Sequence, residues 1–425
     1  MPVFVGAGTS SFMKGNDGIA FTRLTTSQRN SLTAVQGQVI FNTTTGVLEY
    51  YDGSSWAKVS AVLAVLTSVS GSIIDGATST LTLSGEGFLQ SGLVVNFQQS
   101  ADSIDVNVTV TPSSDTAATV AVPASVYNNV TAGRVVTIKV TNSDGSTSQG
   151  VNKTAVALPT GGSIQTYGNY RSHTFTSSGT FSNSISGLSV DMLLVAGGGS
   201  GGVDTGGGGG AGGMLEPTGV SLNAQNYSIS IGSGAASRAG SDDDGPGRKG
   251  GNSTALGYTS FGGGAGSGWS NSSTGEGMNG GSGGGQSASS GSTGPGPGSG
   301  TSGQGNNGGS AVPFYGAGGG GKGGGGGNAN NSTAGTGGLA GNNSFRTGSN
   351  IGYAAGGTGG WDDANGRSSS GHSSRNGVTK GTGQAQEGDC ASNTGHGGHG
   401  ANHDNNRSGG GGSGICVIRY DLTAI

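Results

Sequence analysis

Three patterns of apolar and polar positions follow one another along the chain. In residues 1–60, FTRLTTSQRNSL suggests a capped helical turn. GQVIFNTTTGVLEYYDGSSWAKV then reads as a hairpin and a third short strand, broken at TTTG and DGSS. Val39, Phe41, Leu48, Tyr50 and Trp56 are its packing residues. In residues 61–158 the runs SVSGSIIDGATSTLTLSGEGF, SGLVVNFQ, DVNVTVTP, AATVAVP and RVVTIKVTNSDGS alternate at period two. Val106, Val108 and Val110 share a face, as do Val136, Ile138 and Val140, while Thr137 and Lys139 face out. Short strands at roughly ten-residue spacing predict a β-sandwich. Residues 159–425 open with a linker and YRSHTFTSSGTFSN, a hairpin signal with Gly179 at the turn. The buried strand LSVDMLLVA follows, then NYSISIGSG, TALGYTSFGGG and finally GICVIRYDL.

Composition changes the picture only in this last part. Of 97 glycines, 20 precede Gly197 and the other 77 lie between Gly197 and Gly414. Such a tract is either a Gly/Ser linker or a fold whose core is backbone. A strand with three residues per turn rises about 3.1 Å per residue and leaves its N–H and C=O groups free. Where side chains are hydrogen, such strands can approach closely and hydrogen-bond in several directions, and each backbone group needs a partner. The ordering cost for glycine is high, so a scaffold must fix the ends, and the flanking strands offer one. A linker has no reason to end in an apolar strand. GGGGKGGGGG within Gly318–Gly327 reads as the longest strut, about 30 Å in this conformation. Polar loops between the runs hold most of the charge and the aromatics. Rigid struts with variable loops make the pattern of a recognition surface.

The net charge of −4 offers no polybasic surface for nucleic acid. No stretch of about 18 apolar residues crosses a membrane. The first residues show no secretory signal, which fits a protein made in a host cytoplasm. Cys390 and Cys416 make no disulfide framework, and Cys416 in ICVIRY reads as a small buried hydrophobe. Matches to G-x-G-x-x-G lack a βαβ context. GGSGG around Ser282 matches a nucleophile motif by composition alone. No acid–base set accompanies it, so no enzyme and no cofactor is expected.

Three groups carry candidate chemistry. His396, His399 and His403, with three- and four-residue spacings, are candidates for one side of a three-residue-per-turn strand. Imidazoles three residues apart share a side of such a strand, so the group offers a transition-metal site or consists simply of polar loop residues. Asp242, Asp243 and Asp244 offer oxygen ligands for Ca²⁺ or form a solvated acidic turn. Neither group is assigned a metal. Trp269, Phe314, Tyr315 and Trp361 stand in otherwise small, polar loops. They are candidate receptor-binding anchors, with Asp362, Asp363 and Arg367 supplying polar specificity beside Trp361. The other reading has them cap the glycine bundle or pack between subunits.

GQVIFNTTTGVLEYYDGSSW resembles the small β-module that recurs in bacteriophage tail fibres and other virion appendages. TLTLSGEGF and VTIKVTNSDG resemble the IPT/TIG branch of immunoglobulin-like domains, without the antibody Cys–Trp–Cys pattern. HTFTSSGTF, MLLVAGGGSGG, YSISIGSGA, YTSFGGGAG and GGGGSGICVIRY resemble, in order and spacing, the glycine-rich domain of phage tail fibres and adhesins. That resemblance spans most of residues 170–421. Together they imply a mainly β virion protein with an N-terminal attachment or oligomerisation module, an immunoglobulin-like spacer and a polyglycine-II-like domain. The implied function is that of a tail fibre or receptor-binding adhesin, non-catalytic and multivalent. Fibres of this type are commonly trimeric. The implied partners are other virion proteins and a host-surface saccharide or outer-membrane protein. The alternative is a capsid-surface decoration or head fibre.

Overall fold

The computed structural model describes residues 21–59, 63–89, 92–239, 245–269, 278–288, 296–362, 389–403 and 407–425. Asp242, Asp243, Asp244, Asp363 and Arg367 lie outside the described residues. The chain forms two compact units. One comprises Met1–Ser70, Leu81–Val120 and Val136–Lys153, the other Gly71–Thr80, Ala121–Val135 and Thr154–Ile425.

In the first unit, β1 (Thr22–Leu24) runs parallel to β2 (Val39–Asn42), and β3 (Val47–Tyr51) and β4 (Trp56–Lys58) continue as an antiparallel meander. Helix α1 (Thr26–Asn30) starts at Thr25. Its hydroxyl accepts from the Gln28 N–H, and the Gln28 side chain accepts from the Thr25 N–H, so two orphan donors are satisfied at once. Among the described residues of this module the buried side chains are Ile40, Asn42 and Glu49. The Glu49 carboxylate takes Arg29 at 2.7 Å and the Asn42 amide at 2.9 Å. Leu32, Val35, Tyr50 and Val59 stay exposed. A single apolar side chain is too little core for a segment this short to stand alone.

The alternating runs that follow form β5 (Val65–Ser70), β6 (Ile74–Asp75), β7 (Thr80–Glu86), β8 (Leu93–Gln99), β9 (Ile104–Val110), β10 (Ala117–Ala121), helical turn α2 (Ala124–Tyr127), β11 (Val135–Thr141), β12 (Val151–Thr154) and β13 (Val156–Ala157). One sheet has the order β10-β7-β5 and the other β12-β11-β8-β9, the Greek-key connectivity of an immunoglobulin-like module. Leu81, Leu83, Leu93, Val95, Phe97, Val136, Ile138 and Val140 are fully buried. Val106, Val108 and Val110 share a face as expected but are only half-buried, because β9 is an edge strand.

The second unit is founded on a sheet of order β14-β15-β25-β17-β18. Its strands are β14 (Ser163–Tyr167), β15 (Tyr170–Phe175), β17 (Leu188–Val195), β18 (Met214–Leu215) and β25 (Ile415–Asp421), with β19 (Val220–Leu222) also on β17. β16 (Gly179–Asn183) pairs with β20 (Gln225–Ile229). The expected hairpin at Gly179 is therefore not formed, because β15 is already flanked by β14 and β25. Two hairpins complete the scaffold: β21 (Ser253–Ala255) with β22 (Tyr258–Ser260), and β23 (Gly341–Asn343) with β24 (Ile351–Tyr353). β17 and β25 lie side by side with Val195 opposite Ile415. The glycine tract thus leaves and re-enters the sheet at adjacent points. Met192, Leu194, Cys416 and Ile418 pack into one core cluster, and Leu193, Val195, Ile415 and Val417 into another with Ala211, Met214 and Tyr353. The Cys416 thiol is the small buried hydrophobe expected.

The described residues of the tract form an array of extended runs. At its centre is Gly206–Gly213. The N–H groups of Gly206, Gly209 and Gly212 donate to Ala401, Gly398 and Gly395. Those of Gly207, Gly210 and Gly213 donate to Ser267, Gly264 and Phe261, and those of Gly208 and Ala211 to Ala317 and Gly320, all at 2.8–3.0 Å. Its carbonyls accept from three further runs: from Gly202, Gly199 and Ala196; from Gly360 and Gly357; and from Gly285 and Ser282. Each backbone group points to a different neighbour and returns to the same one every third residue, as a three-residue-per-turn strand requires. One peptide run is hydrogen-bonded on all sides to six others.

One expectation about this array fails. GGGGKGGGGG is not a continuous strut, because the chain reverses at Gly321–Gly324, where the Gly321 N–H donates to the Gly324 carbonyl. The reason is Lys322. A lysine has no place inside a backbone array, so it sits at a turn, and its Nζ donates to the carbonyls of Met214 and Gly303 at 3.0 and 2.8 Å.

Candidate functional site

The run Gly206–Gly213 ends at the sheet on its Gly213 side, where the Ala196 N–H bonds the Gly213 carbonyl. The other end of the array is built by turns. The first is Val203–Thr205, in which Asp204 and Thr205 both take positive φ, 55° and 52°. The second is Val312–Tyr315, with Pro313 and then Phe314 at φ 73°. This is type II geometry, in which the third position normally calls for glycine. A bulky side chain held there is a backbone outlier, the kind of strain that gathers at functional sites.

At this end the structure brings together residues far apart in sequence. Tyr315 and Trp361 form a β-bridge. The Asp362 N–H donates to the Phe314 carbonyl at 3.0 Å, and the His403 N–H to the Trp361 carbonyl at 3.0 Å. The His403 ring meets Trp269 edge-on at 5.7 Å between centroids. It stands 3.9 Å from Asp204 and 4.0 Å from Asp362. Trp269 and Phe314 are half-buried. Of the two readings of Tyr315 and Trp361, anchors or caps, their burial fits the second: they are 5% and 6% exposed and pack with Val312, Phe314, Ala329 and Ala334. A large ring beside bare backbone covers the most area at the ends of the runs, so these two cap the array, and Asp362 is buried with them. Asp204 was not singled out by sequence. Its signal was the VDT that interrupts the first glycine run.

The spacing of His396 and His399 is used, but not for metal. The Nδ1 of His396 accepts from the Ala355 N–H at 3.0 Å, and the Nδ1 of His399 from the Thr358 N–H at 3.1 Å. Asn402 continues the series with its Oδ1 on the Trp361 N–H at 3.2 Å. Three side chains three residues apart thus serve three backbone donors three residues apart on a neighbouring run. This commits one ring nitrogen of each imidazole to the backbone, and His403 is at the far end with Trp269. Burial holds the His396 imidazole well below its ordinary range, at about 4. Among the described residues no group of three or more His, Cys, Asp or Glu could hold a metal ion.

The geometry agrees with what the chain is similar to. Residues 174–421, more than half of the chain, match the family model of the glycine-rich domain. The chain belongs to this family. Residues 9–75 match a phage tail-like trimerisation region, extending beyond β4 into the strands that follow. The glycine-rich protein is accordingly a phage tail structural protein and virion component, and its N-terminal region supports a homotrimer. No curated protein matches the chain. Among solved structures, a match is to the FN1–FN3 domains of chicken CNTN1, at 11% identity and a TM-score of 0.19, over 41% of this chain and 61% of that one. Among the described residues no helix is long and apolar enough to cross a membrane.

Proposed function

We propose that this protein is a tail fibre or receptor-binding adhesin that attaches the phage to its host, with recognition at the turn-built end of the glycine array. The observation that carries the reading is the convergence there of Trp269, Phe314, Asp204, Asp362 and His403 from separate turns. The runs themselves present almost no side chains, so discrimination belongs to their ends. Phe314 is held in a backbone conformation that costs stability, and a side chain retained at such a cost has a use beyond packing. Binding is non-catalytic. Three copies of a weak site, presented together on several fibres, give avidity through effective concentration. The receptor is a host-surface saccharide or an outer-membrane protein, and the N-terminal module joins the trimer to other virion proteins.

The test uses virions carrying Phe314→Gly and, separately, Trp269→Ala. Glycine relieves the positive φ, which offsets part of the packing lost against Tyr315 and Trp361, so Phe314→Gly should still assemble, yet adsorb to host cells at least tenfold more slowly. Trp269→Ala should assemble and adsorb slowly too. Adsorption at the wild-type rate by both would place host recognition in another virion protein.

A further inference from the structure

A groove of about 430 Å³ opens on the flank of the glycine array, away from the aromatic end. Part of its lining is bare backbone, from Gly250, Gly262, Gly280 and Gly300. The side chains that line it are Lys249, Asn252, Phe261, Asn279, Ser299 and Thr301. The volume lies in the range of small-molecule clefts, about 300–1,000 Å³. Phe261 is 42% exposed, although it follows β22 directly and buried positions lie all around it.

The polar atoms are pre-set. Asn252 spends its Oδ1 on the Gly262 N–H at 2.8 Å and Asn279 its Oδ1 on the Ser299 N–H at 2.7 Å. Each amide nitrogen is therefore the end that remains to donate. Thr301 donates its hydroxyl to the Gly280 carbonyl at 2.9 Å, which fixes the oxygen in place as an acceptor. Lys249 adds an ammonium, and among the described residues the lining contains no Asp or Glu. A ring face flanked by fixed amide donors and hydroxyls suits a sugar, whose C–H face packs on the aromatic while its oxygens take the donors. The excess of donors and the lysine favour a ligand rich in acceptors and negatively charged.

We propose that this groove is a binding site for an acidic saccharide, with Phe261 stacking on a sugar ring, Asn252 and Asn279 donating to its oxygens and Lys249 pairing with its carboxylate. The site is separate from the aromatic end and does not rest on the host-recognition reading given to that end. The probes are trigalacturonate and neutral maltotriose, titrated into the full-length protein and followed by saturation-transfer NMR. Trigalacturonate should bind at least tenfold more tightly than maltotriose. Phe261→Ala should abolish binding of both, and Phe261→Tyr should restore it. Lys249→Gln, at an exposed position, should bring the two affinities together without moving the unfolding temperature. Trp269→Ala should leave saccharide binding unchanged whatever it does to adsorption. The proposal is overturned if neither trisaccharide binds, if the neutral one binds as well as the acidic one, or if binding survives Phe261→Ala.

Discussion

In β7, β8 and β11 the interior is Leu81, Leu83, Val95, Phe97 and Ile138, whereas around Gly209 it is peptide groups alone. The first kind of interior is held by apolar area removed from water, at roughly 25 cal/mol per Å². It tolerates exchange among side chains of similar volume. The second has almost no apolar area to bury. It is held by hydrogen bonds, each worth about 0.5–1.5 kcal/mol net, and by the penalty for leaving any of its peptide groups unpaired. The first is specified by which residues are large. The second is specified by which residues are absent, so a methyl group should matter more there than a whole side chain does in the sandwich.

The largest expected effect follows from that contrast. A Cβ on Gly209 would lie 2.2 Å from the Gly199 carbonyl oxygen. No rotamer relieves this, since both partners are backbone. The Gly209 N–H and C=O are bonded to Gly398 and Gly357, so moving the runs apart breaks bonds on several sides. Gly209→Ala should cost more than the about 1–3 kcal/mol of ordinary overpacking and should prevent the glycine-rich domain from folding as a unit. Limited proteolysis and thermal unfolding would show this, and a variant as stable as wild type would remove the backbone-packed account.

The sandwich provides the matching test. Leu83→Ala should cost about 2–5 kcal/mol, as large-to-small changes in a buried site do. Leu83→Met should cost less than about 1.5 kcal/mol. The expected ordering is that adding one methyl at Gly209 does more damage than reshaping Leu83. Chemical denaturation resolving the two transitions decides it.

Protonation separates the two regions next. All five histidines lie outside residues 61–158. Burial brings His396 and His173 down to about 4, against about 6.5 in an unfolded chain. The folded state therefore binds these protons less readily than the unfolded one. Their contribution is complete above about pH 6.5 and is lost as pH falls toward 4, at about 3 kcal/mol each at most. The glycine-rich domain should lose stability across this window while the sandwich does not. His396→Asn should flatten the dependence, since Asn402 already shows an amide oxygen serving a backbone N–H in the same series. Equal pH sensitivity in both transitions would count against the histidine assignment.

How far each region could be read from sequence follows the same division. The alternation in RVVTIKVT placed Val136, Ile138 and Val140 in a core, and they are there, because period two carries its meaning in the side chains. The flanking strands and their scaffold role were equally legible in MLLVAGGG and GICVIRY. Within the array, the three-residue spacing of His396 and His399 correctly put them on one side of a run, but His403, grouped with them by sequence, faces elsewhere, and Asn402 takes the third place. What they face was not legible. One glycine run looks like another, and neighbours are set by turns such as Val203–Thr205 rather than by the runs. For the same reason the polar surroundings of Tyr315 and Trp361 left both readings open, anchor or cap, although they close the end of the array.

The smallest expected effect is the most specific to this division. By sequence, Gly324 stands in the longest glycine run of the chain and reads as the position least able to accept a side chain. In the structure it belongs to the reversal at Lys322, its carbonyl accepting from the Gly321 N–H, and a Cβ there meets nothing within 4 Å. Its φ lies outside the range that favours glycine, so alanine adopts the same backbone without strain. Gly324→Ala then acts mainly on the unfolded chain, which loses conformational freedom, and should stabilise the domain by about 0.4–1 kcal/mol. Paired with Gly209→Ala, the same chemical change is expected to have opposite signs at two glycines. A loss of stability at Gly324 comparable to that at Gly209 would mean that the run continues through Lys322 in solution and that the turn is wrongly placed.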